Sequence, residues 1–269
     1  MPELPEVEVS RLGIQPYLEN QQVAELKVYQ PKLRWMVPTE AQDIVGQTVR
    51  AVKRRAKYLL IESDPGTLVV HLGMSGNLRV LPAGSPLAKH DHVELITSAG
   101  QSLRLNDPRR FGCVLWQTPD KPLSQLARLG PEPLSADFND DHLFAQSRGK
   151  KAAVKTFIMD NYIVVGVGNI YANEALFMSG IDPRRAAGRI SKARYRVLTE
   201  AIRTVLAQAI KQGGTTLKDF SRADGQPGYF AQELAVYGQG GKACPRCQRV
   251  LSEIRLGQRS TVFCKACQT

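Results

Sequence analysis

The chain has 269 residues, enough for two domains that each carry their own core. Its composition, 43% hydrophobic and 23% charged, is that of an ordinary soluble globular protein, and no apolar run approaches the roughly 18 residues that a membrane span requires. Thirty-six Lys and Arg against 25 Asp and Glu leave a formal charge of +11, which points to a polyanionic partner, nucleic acid first, with a merely solvated basic face as the alternative.

The first expected element is a helix over Pro5 to Leu18, opened by proline and acids and burying Val7, Ile14 and Leu18. Glu3, Glu6, Glu8 and Arg11 interrupt the apolar stretch that an export signal would need, so the expected location is the cytoplasm. The small residue at position 2 favours removal of Met1, which would leave Pro2 as a secondary-amine N-terminus. An α-amino group titrates at about 7.7 to 8.0, against about 10.4 for lysine, so a usable fraction is neutral and nucleophilic near pH 7. Attack on a carbonyl-like carbon would give an iminium ion, by the electron-sink logic of a lysine Schiff base, with the Glu3 carboxyl alongside. The same residues also make an ordinary helix opening.

Short β-type runs follow: Val23 to Tyr29, Thr48 to Lys53, Tyr58 to Glu62, Thr67 to Leu72, Leu78 to Leu81, His92 to Thr97, Ser102 to Leu105 and Cys113 to Trp116. Their spacing predicts a sandwich or barrel, here a two-layer β domain with a flanking helix, and Cys113 reads as a small core residue. His90-Asp91-His92 resembles a metal site only weakly, because no further ligand lies nearby in sequence. Gly130-Pro131-Glu132-Pro133 marks the boundary to a helical segment. There a glycine-rich turn, Val164 to Asn169, leads into a helix over Ile170 to Met178. Such a turn can aim backbone N–H groups and an Asn side chain at a phosphate, or be a turn and nothing more. A long helix runs from an N-cap at Ser191 to Gly213-Gly214, with Tyr195, Leu198, Ile202, Val205 and Ala209 on one face. The loop Asp219 to Tyr229 reads as a lid.

The most specific pattern comes last: Cys244-x2-Cys247, sixteen residues, then Cys264-x2-Cys267, the spacing of a four-thiolate zinc site. Disulfides would need an oxidising compartment. Four thiolates fill a tetrahedron, so one structural Zn²⁺ is expected, with no position open to substrate.

Taken together, Met1-Pro2-Glu3-Leu4-Pro5-Glu6-Val7-Glu8, Arg55-Ala56-Lys57-Tyr58, His71-Leu72-Gly73-Met74-Ser75-Gly76, Asp107-Pro108-Arg109-Arg110-Phe111-Gly112, Gly166-Val167-Gly168-Asn169-Ile170-Tyr171, Gly225-Gln226-Pro227-Gly228-Tyr229-Phe230 and the four cysteines resemble one family, the bacterial formamidopyrimidine-DNA glycosylases. The resemblance covers the whole chain. It implies an α+β protein: an N-terminal β-sandwich catalytic domain (residues 1–131), a helix-two-turn-helix DNA-binding domain with a lesion-capping loop (132–232) and a zinc finger (233–269). It also implies a bifunctional glycosylase and apurinic/apyrimidinic lyase that removes oxidised purines such as 8-oxoguanine and formamidopyrimidines from double-stranded DNA, working as a monomer at the bacterial nucleoid.

By the same resemblance Pro2 attacks C1′, Glu3 donates protons, Lys57 acts near the damaged nucleotide and Arg259 assists δ-elimination. A base must leave the duplex to reach such a nucleophile. Met74, Arg109 and Phe111 then match the residues that fill the void, Arg109 facing the orphaned base, although Met74 and Phe111 could equally be core residues. His71, His90, Lys151 and Asn169, together with Arg109, match the DNA-gripping positions, and Lys218 and Tyr229 belong to the lesion loop. Two rival functions share much of this pattern: an endonuclease VIII-like enzyme for oxidised pyrimidines, and a non-catalytic DNA-damage binding protein.

Overall fold

In the computed structural model, which describes residues 2–213 and 234–269, the chain opens with helix α1 (Leu4–Leu18), and Leu4, Val7, Ile14 and Leu18 are its buried apolar face. The strands β1 (Val23–Val28), β2 (Ala51–Arg55), β3 (Tyr58–Glu62), β4 (Thr67–His71), β5 (Asn77–Pro82), β6 (Asp91–Thr97), β7 (Gln101–Asn106) and β8 (Cys113–Gln117) follow. They form two antiparallel four-stranded sheets, ordered β1-β6-β7-β5 and β2-β3-β4-β8. Period-two alternation explains the layering. Leu59, Ile61, Leu68, Val70, Val114 and Trp116 face the main core with Leu95, Leu103 and Leu105 of the other sheet. The intervening Val69, Cys113 and Leu115 face a smaller cluster completed by Leu123 and Leu126, next to and on the short helix α2 (Ser124–Ala127). Cys113 is thus a core residue, and burial pushes its thiol up to about 11.

One strand starts later than its sequence suggests. Residues 48 and 49 pair with the chain leaving α1 (Gln22 bridges Thr48, and Val49 N donates to Gln21 O at 2.9 Å), so β2 begins only at Ala51. A 3-10 turn over Thr39–Ile44, with no periodic signature of its own, buries Ala41 and Ile44 against the sandwich. Side chains tie α1 to β2: Arg54 Nε donates to Glu8 at 2.8 Å, Val52 N to Glu19 at 2.8 Å and Arg11 Nη1 to Val52 O at 3.2 Å. These bonds fix the helix that Pro2 and Glu3 directly precede.

The described residues divide into two compact units, one within Met1–Ala127 and one combining Arg128–Lys211 with the described part of Ala231–Thr269. The second holds α3 (Asp140–Ser147), α4 (Val154–Ile158), α5 (Asn169–Met178), α6 (Lys192–Lys211) and the hairpin β9 (Ser252–Leu256) and β10 (Arg259–Phe263). Helix α6 buries Tyr195, Leu198, Ile202, Val205 and Ala209, the face its spacing predicts, and Ser191 Oγ accepts from Arg194 N at 3.3 Å as an N-cap. No described helix is long and apolar enough to cross a membrane.

Candidate active site and nucleic-acid interface

Pro2 is buried and immediately precedes the N-cap of α1. Glu3 is that cap: its carboxylate accepts from the backbone of Glu6, while Glu3 N donates to Glu6 Oε2 at 2.8 Å. Both carboxyls are almost wholly buried, at 2% and 0% exposure. A reciprocal capping box thus holds an acid beside the Pro2 nitrogen. Were Met1 removed, that nitrogen would be a secondary amine at the positive end of the helix macrodipole, which disfavours added positive charge.

Lys57 sits in the tight β2–β3 turn, where Ala56 takes the left-handed conformation (φ 54°). The register sets Tyr58 opposite His71, and their rings lie 4.8 Å apart. Burial, then the charges of Lys57 and Arg34, push the His71 imidazole down to about 4. His71 Nδ1 accepts from Gly73 N at 2.9 Å, so the proton of the neutral ring is on Nε2. At neutral pH His71 is therefore an uncharged Nε2–H donor, the form suited to a phosphate oxygen.

Met74 lies in the β4–β5 loop, and Arg109 and Phe111 lie in the β7–β8 loop, two segments knotted together by a buried carboxylate. Asp107 Oδ1 accepts from Ser75 Oγ at 2.7 Å and Oδ2 from Gly112 N at 2.8 Å; Ser75 Oγ also accepts from Arg109 N at 3.3 Å. The approach leaves room only for glycine at position 73 (φ 64°), where a Cβ would come within 2.3 Å of the Phe111 carbonyl carbon. Met74 is half-buried and Phe111 is 48% exposed, so neither is a core residue. The Arg109 guanidinium lies 5.3 Å from the centre of the Phe111 ring. Arg110 adopts φ 56°, which costs a non-glycine residue about 1–2 kcal/mol.

His90 ends the turn before β6 in a left-handed conformation (φ 75°), and its carbonyl accepts from Asp107 N at 3.1 Å. Its neighbours are committed elsewhere. Asp91 is buried against Arg79 and Asn106, and His92 Nε2 bonds Asp107 O at 2.9 Å. The cysteines are the one group of metal-ligating side chains among the described residues.

In the second unit, Lys151 is exposed ahead of α4, Asn169 is the first residue of α5, and Arg259 is exposed at the start of β10. Asn169 Oδ1 is buried without a hydrogen-bond partner among the described residues. The hairpin bearing Arg259 is held from both sides. Lys155 is 1% exposed, and its Nζ donates to Ser260 O at 2.8 Å and Thr261 Oγ1 at 2.7 Å. Asn173 Oδ1 accepts from Val262 N at 2.9 Å. Glu174 accepts from the backbone N–H groups of Ala235, Val236 and Tyr237 at 2.9, 3.0 and 2.8 Å, fixing the strand of chain that enters the cysteine motif.

The four thiol sulfurs lie within 4.8 Å of one another, with Cys244 to Cys267 at 3.9 Å and Cys247 to Cys264 at 3.5 Å. A disulfide requires about 2.05 Å. Zn–S bonds of about 2.3 Å in a tetrahedron require sulfurs about 3.8 Å apart. Cys244, Cys247, Cys264 and Cys267 therefore fit one structural zinc, a closed site with no chemistry of its own.

The structure thus brings together Pro2 with Glu3, Lys57 with His71, and Met74 with Arg109 and Phe111, all in the first unit; Lys151, Asn169, Arg259 and the zinc ligands belong to the second. Lys218 and Tyr229 lie outside the described residues. Sequence reasoning missed the residues that hold these groups in place. Asp107, Lys155 and Glu174 are charged side chains buried by partners far along the chain, and only the acid-before-proline of Asp107-Pro108 gave any local signal.

Three family models match the chain: the formamidopyrimidine-DNA glycosylase N-terminal domain over residues 1–114, the H2TH domain of the same enzymes over 129–221, and a zinc finger found in FPG and IleRS over 241–269. The formamidopyrimidine-DNA glycosylases of Photobacterium profundum and Shewanella loihica are 60% and 61% identical to it, each over the full length of this chain and 100% and 99% of their own. Among solved structures, the MutM (Fpg) protein of Thermus thermophilus superposes with a TM-score of 0.89 at 35% identity, covering 99% of this chain and 98% of that one. Lactococcus lactis Fpg bound to abasic-site DNA reaches 0.91 at 30% identity, covering 99% of both chains.

Proposed function

The chain belongs to the formamidopyrimidine-DNA glycosylase family, and from that premise we propose that Pro2, freed of Met1, is its nucleophile and Glu3 its proton donor. The protein is a DNA glycosylase of base excision repair that acts on oxidised purines in double-stranded DNA and carries the AP lyase activity of its family. The observation that supports these roles best is the capping box, which buries the Glu3 carboxyl beside the Pro2 nitrogen at the N-terminus of α1.

The Pro2 lone pair forms a bond to C1′ as the C1′–N9 bond breaks, and the resulting ammonium gives up its N–H proton to the departing base. Glu3 protonates O4′ as the sugar ring opens, and the nitrogen lone pair forms the C1′=N⁺ iminium. The iminium withdraws electrons from C2′, so loss of a C2′ proton expels the 3′ phosphate, and loss of a C4′ proton then expels the 5′ phosphate. Water hydrolyses the remaining iminium, releasing the sugar fragment as an aldehyde and returning the amine. Lys57 and the neutral His71 hold phosphates flanking the damaged nucleotide, and Arg259 stabilises the phosphate that leaves in δ-elimination. His90, Lys151 and Asn169 grip the backbone further out.

Met74 and Phe111 enter the space vacated by the everted nucleotide, and Arg109 bonds the orphaned base. Zinc, when bound, cross-links the thiolates and fixes the hairpin that presents Arg259. The sandwich supplies the chemistry and the helical unit with its hairpin supplies the grip, in the cell at the bacterial nucleoid.

Borohydride reduction during reaction with 8-oxoguanine duplex tests the reading, because an iminium becomes a permanent protein–DNA adduct at Pro2. Binding without an adduct would favour a non-catalytic damage-binding protein, and intact mass showing Met1 retained on active enzyme would exclude Pro2 as nucleophile. Faster excision of thymine glycol than of 8-oxoguanine would favour the endonuclease VIII-like alternative.

A further inference from the structure

Next to the Asp107 knot, the segment from Pro31 to Val37 folds into a closed strap. Lys32 and Met36 form an isolated antiparallel bridge, Val37 N donates to Pro31 O at 2.9 Å, and Arg34 N donates to Gly112 O at 3.0 Å. The strap therefore has a fixed position against the loop that carries Arg109 to Phe111. Between them is an open pocket of about 380 Å³ whose described lining is Lys32, Leu33, Arg109 and Arg110. Leu33 is buried and forms the floor, while the three cations are exposed at the rim. Among the described residues none of these cations is paired with a carboxylate, and no acid lines the pocket. Arg110 is held in a left-handed backbone conformation by the turn Asp107–Arg110, in which Arg110 N donates to Asp107 O at 3.2 Å. Strained backbone of this kind persists where the surrounding structure over-determines it, and it is a mark of binding sites.

We propose that Lys32, Arg109 and Arg110 form a phosphodiester-binding pocket that holds the backbone of the strand opposite the lesion. Three unpaired cations around an apolar floor suit an anion attached to a sugar better than a free base, and the volume is at the lower end of the range for bound small molecules, roughly 300–1,000 Å³. The choice of strand rests on Arg109 facing the orphaned base. Arg110 and Lys32 flank Arg109 at the pocket, so they meet the backbone to which that base belongs.

The test measures binding of the full-length protein to a duplex containing a non-cleavable abasic analogue, at salt concentrations from 50 to 200 mM. Lys32→Ala should lower affinity and flatten the log–log salt slope by about 0.9, the release of one counterion site. Arg110→Gly should do the same without unfolding the loop, since glycine accepts φ 56°. Methylphosphonates flanking the orphaned base should weaken the wild type at least as much as Lys32→Ala does, and should weaken that variant by less than they weaken the wild type. The proposal is overturned if both variants keep the wild-type slope, if the variant and methylphosphonate losses add, or if only methylphosphonates on the lesion strand reproduce the effect. Borohydride trapping of the wild type, run alongside, separates the two claims. A missing adduct rejects the chemistry assigned to Pro2, whereas a normal adduct with unchanged salt slopes rejects the pocket alone.

Discussion

The sandwich and the zinc hairpin both carry short loops to which we assign DNA contacts, but they hold those loops by different means. In the sandwich, two sheets and α1 enclose a broad apolar core, and the loop bearing Arg109 and Phe111 is fixed beside it by the buried carboxylate of Asp107 together with the backbone bonds to His90 and Arg34. The hairpin's described buried cluster is Phe177, Val236, Cys244, Leu251, Val262 and Cys264, two of which are the metal's own ligands. Few apolar side chains stand behind β9 and β10, so the metal and the buried contacts of Lys155, Asn173 and Glu174 take the place of a core. Burial of apolar surface thus secures the sandwich, and polar contacts together with the metal secure the hairpin.

Removing the metal should sharpen that contrast most. Structural zinc contributes roughly 10–16 kcal/mol to the folding of small finger modules. Cys264→Ser, or chelation of the wild type, should therefore release zinc and weaken DNA binding by at least tenfold while the thermal transition of the sandwich stays in place. Zinc content and calorimetry on the same sample check this. Full zinc occupancy in the variant, or loss of both units together, would break the comparison.

The next largest effect belongs to the sandwich. Glu3→Gln keeps an oxygen to accept from Glu6 N but cannot donate the proton that opens the sugar, so single-turnover excision should slow by about 10²–10⁴ with little change in affinity. An unchanged rate would remove Glu3 from the chemistry.

A smaller effect is expected at the knot. Asp107→Asn turns an amide N–H₂ toward Ser75 Oγ or Gly112 N and leaves a buried polar group unpaired, at a cost of about 1–3 kcal/mol. Urea unfolding measures that cost. Discrimination between lesion and undamaged duplex should fall as Met74, Arg109 and Phe111 lose their fixed spacing; a variant equally stable and selective would mean the carboxylate does not organise the loops.

The last effect is one of pH, read in stability and not in catalysis. His71 titrates near 6.5 in an unfolded chain and about 4 in the fold, so between these values the unfolded state binds more protons. The stability due to neutral His71 is complete above pH 6.5 and is lost as pH falls through about 4. His71→Asn should accordingly flatten the decline in urea midpoint between pH 7 and pH 4.5, and superimposable profiles for the two proteins would argue against a depressed imidazole.

Sequence alone determined what depends on local period and spacing. Strand alternation from Val23 to Trp116 fixed a two-layer β domain, the three-and-four spacing from Tyr195 to Ala209 fixed the buried face of α6, and the paired cysteines fixed the metal and its coordination. Each signal lies in residues close along the chain, where backbone geometry alone decides which side chains share a face. Tertiary structure decided whatever depends on partners brought from afar: Asp107 reaches Ser75 across 32 residues, and Lys155 reaches Ser260 across 105. Whether Phe111 is buried or exposed, whether His71 is charged, and whether Lys32 shares a pocket with Arg110 are of the same kind. Burial and electrostatic surroundings belong to the assembled fold, and no local pattern of residues encodes them.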